Sequence, residues 1–183
     1  MLKIKSFFSG SYIIKPDFYT DKRGIFYETF HQKKYSKMLK NYKFIQDNFS
    51  KSKKNVLRGM HFQSKNSQGK LVFVIKGKIF DVIVDLRKNS RTFGKWKSII
   101  LSEQNKLQLW VPPGFAHGFL ALSKDVNLIY KCTSLYNPKH DQTLIWNDKE
   151  ININWPIKRP ILSEKDKNGE TLECIISKLK LDV

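Results

Sequence analysis

The sequence predicts an all-β fold, a double-sheet jelly roll, on three observations. Short runs rich in Val, Ile and Phe recur from residue 70 onward, each closed off by Gly, Pro, Asn or Ser in the manner of strands and turns. Their spacing is that of a β-sandwich or barrel, and such folds often hold a ligand between their sheets. Helical periodicity is confined to residues 31–40 and the C-terminal end.

Taken in chain order, residues 24–30 read as a strand. Residues 31–40 read as a short helix with Tyr35, Met38 and Leu39 on one side, and residues 44–49 as a further strand. Residues 70–75 and 79–86 flank Lys76-Gly77-Lys78, whose glycine can take the positive φ of a tight turn, so the pair reads as a hairpin. Strands over residues 96–101, 108–111, 119–122 and 126–133 complete the series, and the prolines and glycines of residues 111–119 read as a turn carrying His117 close to a cavity.

At 183 residues the whole chain, 1–183, is expected to form one domain around one core. No segment approaches the apolar length of a signal-peptide core or a membrane helix, which predicts a cytoplasmic protein without a membrane partner. Cys132 and Cys174 are read as free thiols, because no CxxC spacing or disulfide framework is present. The net charge of +18 raises the question of a polyanion. Its lysines are dispersed and no nucleic-acid motif occurs, so nucleic acid is not the expected partner, while the positive field would still attract a small phosphorylated substrate.

Only four histidines occur, His31, His61, His117 and His140. Around Arg58-Gly59-Met60-His61 there is no second histidine two residues on and no following Glu, so neither a metal nor any cofactor is expected. His61 can serve as a general base near neutral pH, although a hydrogen-bonded structural histidine fits the same segment equally. Strict strand alternation would place Arg58 and His61 on opposite faces; a bulge at Gly59 would bring them to one. Tyr130 shares strand parity with Val126 and Leu128 and so points inward, where a Tyr is ordinarily part of the core.

A longer series of segments closely resembles one family. Gln46-Asp47-Asn48-Phe49-Ser50, Leu57-Arg58-Gly59-Met60-His61-Phe62-Gln63, Gly69-Lys70-Leu71-Val72, Phe80-Asp81-Val82-Ile83-Val84-Asp85, Pro113-Gly114-Phe115-Ala116-His117-Gly118 and Ile145-Trp146-Asn147-Asp148 follow in order. Together they are similar to the dTDP-4-dehydrorhamnose 3,5-epimerases of the cupin superfamily, from about residue 21 to residue 166. The resemblance implies a homodimer whose neighbouring subunit completes each site. It also implies conversion of dTDP-4-dehydro-6-deoxy-D-glucose to dTDP-4-dehydro-6-deoxy-L-mannose, the precursor of dTDP-L-rhamnose for surface polysaccharide.

By position, the resemblance makes His61 the base, Tyr130 the acid, Asp166 the carboxylate paired with the histidine, and Lys70 the cation near the substrate ketone. It carries Arg23, Phe26 and Glu28 onto the partner's thymidine site, Gln46, Asp47, Asn48 and Arg58 onto the diphosphate side, and His117 and Lys165 onto the remaining contacts. Tyr136 takes the position that stacks on thymine. Asp141 stands where the family commonly has Glu, and Leu135 where an aromatic often precedes Tyr136; both bear on ligand fit.

These residue types suit the chemistry. Inverting a carbon beside a ketone needs a proton removed from one face and returned to the other, which one base alone does not achieve. A lysine can stabilise the enolate oxygen in a dry cavity, a carboxylate can fix the imidazole tautomer, and an arginine fork suits diphosphate. The neighbouring alternatives are an epimerase acting at C3 or C5 alone, a ketoisomerase, or a non-catalytic sugar-nucleotide-binding cupin.

Overall fold

The structure, a computed structural model, describes residues 3–39 and 42–180, apart from the side chains of Met38, Leu179 and Lys180. In order the elements are β1 (Lys3–Phe8), β2 (Ser11–Lys15), β3 (Phe18–Asp21), β4 (Gly24–Tyr27), α1 (Gln32–Met38), β5 (Gln46–Lys53), β6 (Leu57–Gln63), β7 (Lys70–Lys76) and β8 (Lys78–Asp85). There follow β9 (Trp96–Ser102), β10 (Gln108–Val111), β11 (Phe115–Ala121), β12 (Asp125–Cys132), β13 (Asp141–Thr143), α2 (Glu164–Lys167) and α3 (Leu172–Lys180).

Two antiparallel sheets face each other, one in the order β1-β2-β10-β7-β12-β5 and the other β13-β6-β11-β8-β9, while β3 and β4 form a separate ribbon. This is the predicted double-sheet jelly roll. The inner faces meet in Val72, Val74, Ile79, Ile83, Leu109, Val111, Phe115, Phe119, Val126 and Leu128. The outer face of the five-stranded sheet is covered by the C-terminal segment through Leu144, Ile151, Trp155, Leu172 and Ile175. The outer face of the six-stranded sheet receives α1, where Tyr35 and Leu39 pack on Ile14, Leu71 and Trp110. A side chain buried as fully as Leu71 or Ile83 contributes about 1.5–3 kcal/mol of transfer free energy.

Several sequence expectations are corrected. β7 and β8 are not a hairpin, because they belong to different sheets and Gly77 carries the chain across the sandwich. Its φ is 84°, and a Cβ there would stand 2.4 Å from the Asp125 carbonyl oxygen, so only glycine fits the crossing. The local pattern looks alike in both cases, since both runs are buried on both faces and lack the alternation of a one-sided hairpin. His117 is likewise not in a turn. The turn ends near Gly114, and His117 sits within the buried strand β11. The expected helix keeps its place as α1, with Lys40 outside the described residues and no account of the Met38 side chain.

The bulge at Gly59 is present. His61 pairs with His117 and Arg58 with Phe119, a three-residue step on β6 against a two-residue step on β11. The extra residue sends Leu57, Met60 and Phe62 to the outer cluster and leaves Arg58 and His61 together on the inner side. The sandwich opens between the edge strand β5 of one sheet and the β6–β13 edge of the other.

Candidate active site

Inside the mouth the interior changes from Ile, Val and Phe to ionisable side chains. A cavity of about 280 Å³ is lined by Phe49, Ser50, Lys51, Arg58, His61, Lys70, His117, Phe119, Leu128 and Tyr130. His61 and His117 come from the five-stranded sheet, whereas Lys70 and Tyr130 come from β7 and β12 of the six-stranded sheet. The imidazole of His61 and the phenol of Tyr130 therefore approach one cavity from opposite walls. That arrangement can take a proton from one face of a bound ring and return it to the other.

His61 is held from behind. Its Nε2 lies 2.5 Å from Oδ1 of Asp166, a carboxylate only 3% exposed. Asp166 is placed by the short helix α2, where the Ser163 hydroxyl caps the helix by accepting from the Asp166 amide at 3.1 Å. Burial alone would raise this carboxyl. The hydrogen bond and charge of His61, with Ser163 and the Gly59 amide, outweigh it and hold Asp166 below the ordinary carboxylate range. An ionised partner on Nε2 keeps the proton there and leaves the lone pair on Nδ1.

Burial pushes the Tyr130 phenol above its usual range, with the Cys132 thiol and Asp141 adding to the rise and Arg58 opposing it, so it stays protonated at neutral pH and can donate. Burial pushes the Lys70 amine downward, against the pull of Cys132, Asp141 and Asp81, while Lys165 adds to the fall. Nζ of Lys70 lies 3.5 Å from the His61 carbonyl oxygen. Arg58 is oriented by donating Nε to the Ser52 hydroxyl at 3.0 Å and Nη2 to the Lys51 carbonyl at 3.3 Å.

One functional neighbour escaped the sequence reading. Asp81, fully buried on β8, meets Nε2 of His117 through both carboxylate oxygens at 3.0 and 2.9 Å. Burial raises this carboxyl, and His117 and then Lys70 counter the rise. The available signal was a charged residue at the inward parity of Ile79 and Ile83, which a strand tolerates only with a partner.

The other predicted residues form two groups outside the cavity. On the rim, Gln46 accepts from the Tyr136 amide at 2.7 Å and donates to Asn48, and Asn48 donates to the Cys132 sulfur at 3.5 Å. The Tyr136 hydroxyl donates to Asp141 at 2.9 Å, and Lys165 pairs with the same carboxylate. Asp47 alternates outward and pairs with Lys131 at 2.7 Å. A shallower groove beside Tyr136, about 700 Å³, runs past Tyr42, Asn66, Ser134 and Asn137. The second group lies on or after the β3–β4 ribbon: Arg23 pairs with Asp21, Glu28 with Lys34, and Phe26 is 74% exposed. None of those three lines the cavity. Among the described residues no three His, Cys, Asp or Glu side chains converge as a metal site, and no helix is long and apolar enough to cross a membrane.

Comparison with known proteins gives concordant results. A family model described as dTDP-4-dehydrorhamnose 3,5-epimerase matches residues 5–173. The chain is 49% identical to the dTDP-4-dehydrorhamnose 3,5-epimerase of Methanothermobacter thermautotrophicus, over 92% of this chain and 93% of that one. It is 46% identical to the Salmonella typhimurium enzyme of the same name, over 94% and 96%. A dTDP-6-deoxy-D-glucose-3,5-epimerase from Legionella pneumophila, solved in complex with dTDP-4-keto-L-rhamnose, superposes with a TM-score of 0.94 at 44% identity, covering 98% of this chain and 97% of that one.

Proposed function

The chain belongs to the dTDP-4-dehydrorhamnose 3,5-epimerase family, and from that premise we propose that it converts dTDP-4-dehydro-6-deoxy-D-glucose to dTDP-4-dehydro-6-deoxy-L-mannose with its own side chains as acid and base. The observation carrying this reading is that His61, backed by Asp166, and Tyr130 line one cavity from opposite sheets. In the proposed reaction Nδ1 of His61 removes the proton from a carbon beside the C4 ketone, and the electron pair moves onto the ketone oxygen. The Lys70 ammonium stabilises that oxygen in a site where charge interactions are little screened. The Tyr130 hydroxyl then gives its proton to the opposite face of the same carbon and the ketone re-forms; His61 releases its proton to solvent, the Tyr130 phenolate takes one up, and the step then repeats at the second centre.

The cavity, about 280 Å³, lies at the low end for a small-molecule site, which suits a sugar ring with the nucleotide left outside. Arg58 is assigned to the diphosphate and Tyr136, beside the larger groove, to the thymine ring. Lys165, Asp141, Gln46 and Asn48 support the rim, Asp47 contributes through its stretch of β5, and His117 with Asp81 supports the Lys70 side. Arg23, Phe26 and Glu28 are assigned to the site of a second copy. The exposed Tyr19 and Phe26, paired across the ribbon, form an apolar face of the kind that marks a protein contact, so sedimentation should give a homodimer.

The decisive experiment follows turnover in deuterium oxide with His61→Ala and Tyr130→Phe. Both variants should bind dTDP like the parent yet lose about 100-fold or more in turnover, and the parent should take up label at C3 and at C5. Label at one carbon alone would make it a single-centre epimerase, and full turnover in both variants would remove the assigned roles.

A further inference from the structure

The proposed reaction gives work to His61, Tyr130, Lys70, Arg58 and His117, leaving Ser50 and Lys51 as the cavity's other polar residues. Lys51 is exposed, while Ser50 is partly buried. Along β5 the inward positions are Asn48, Ser50 and Ser52, opposite Tyr130, Leu128 and Val126 of β12. Asn48 is engaged with Gln46 and Cys132, and Ser52 with Arg58. The Ser50 hydroxyl between them is shielded from solvent and has no hydrogen-bond partner. A buried polar group in that condition is uncommon and calls for an explanation. Its place on the cavity wall supplies one.

We propose that Ser50 is a further substrate-binding residue, whose hydroxyl hydrogen-bonds a polar substituent of the sugar ring on the side facing Tyr130. This deepens the epimerase reading and rests on it. A serine side chain has three staggered wells and no branch at Cβ, so it can turn its oxygen into the cavity without moving the strand. The sugar is favoured over the diphosphate because the residue directly opposite, Leu128, and nearby Phe119 offer no charge, whereas the cationic Arg58 is held one step farther along by Ser52.

The test is calorimetry with dTDP and with dTDP-rhamnose on the parent and on Ser50→Ala, together with thermal unfolding. Loss of one neutral hydrogen bond should weaken dTDP-rhamnose about 5- to 10-fold and leave dTDP within about 2-fold. Because the deleted hydroxyl is unpaired in the free protein, Tm should stay level or rise, which a merely structural serine would not show. Ser52→Ala is the contrast and should weaken both ligands and lower Tm. If Ser50→Ala folds poorly, Ser50→Cys replaces it. Equal weakening of both ligands, or no change in either, overturns the assignment. Parent turnover of the keto sugar is measured separately, and its absence would overturn the epimerase reading instead.

Discussion

Asp166→Asn isolates how the carboxylate behind His61 acts. The substitution conserves size but removes the charge from a 2.5 Å contact with Nε2, a charge-assisted bond worth about 1.5–3 kcal/mol. At about 1.4 kcal/mol per decade this corresponds to roughly 10- to 150-fold. Geometry adds to it. The carboxylate also accepts from the Gly59 amide, and an amide side chain has one accepting oxygen where a carboxylate has two. If that oxygen serves Gly59, the NH₂ faces the imidazole and drives the proton to Nδ1, so the cavity-side nitrogen loses its lone pair. If it serves His61, the Gly59 amide is left facing another donor. Either way kcat/KM should fall about 100-fold or more, with dTDP affinity unchanged. Rates of deuterium uptake at C3 and C5, beside calorimetry with dTDP, measure both. A loss below about 5-fold, or affinity falling in step with turnover, would refute the reasoning.

The pH profile gives a second check. Burial lowers the Lys70 amine while it raises the Tyr130 phenol, so loss of the ammonium should set the alkaline limb of kcat/KM, below the usual lysine range of about 10.4. Asp81 pulls the Lys70 amine upward, so Asp81→Asn should move that limb to lower pH; an upward move would contradict the electrostatics. Stability offers a third check, away from the site. Asp85 takes hydrogen bonds from Arg87, Ser90 and Thr92, which outweigh its burial and hold its carboxyl at about 2 against 3.8. A depressed carboxyl stabilises the fold above its unfolded value and loses that contribution as pH falls through the folded value. Chemical denaturation of Asp85→Asn should therefore show a deficit of about 2 kcal/mol or more near neutrality that narrows between pH 4 and 2.

Alternation and turn chemistry carried most of the fold. The inward parity of Tyr130 with Val126 and Leu128 follows from period two alone, and the need for a bulge at Gly59 follows from requiring Arg58 and His61 on one wall. Pairing was not legible. Lys76-Gly77-Lys78 marks a reversal in either case, and whether β8 returns beside β7 or crosses to the facing sheet is decided by contacts distant in sequence. The sequence places His117 in a turn because Pro112, Pro113 and Gly114 dominate the local composition, yet β11 begins at Phe115. Asp81 and Ser50 sit on inward parity in runs that read as ordinary strand. Asp81 is set apart in the sequence only by its charge at an inward position, and Ser50 only by the burial of its hydroxyl against the cavity.

The same sheet contacts account for the site's position and its cost. Register sets His117 against His61 across β11 and β6, and Lys70 against Cys132 across β7 and β12, so ionisable groups cluster where the two inner faces approach the mouth. A jelly roll filled with Ile and Val at those positions would be more stable, because each buried ion loses hydration that a partner only partly restores. Here the charges are compensated rather than removed: Asp166 by His61, Asp81 by His117, and Lys70 by the carboxylates around it. Burial outweighs those carboxylates at Lys70, and its amine is lowered accordingly. In the proposed reaction a further counter-charge arrives when the ketone oxygen becomes an enolate, so the cation is better matched to the transition state than to the empty site.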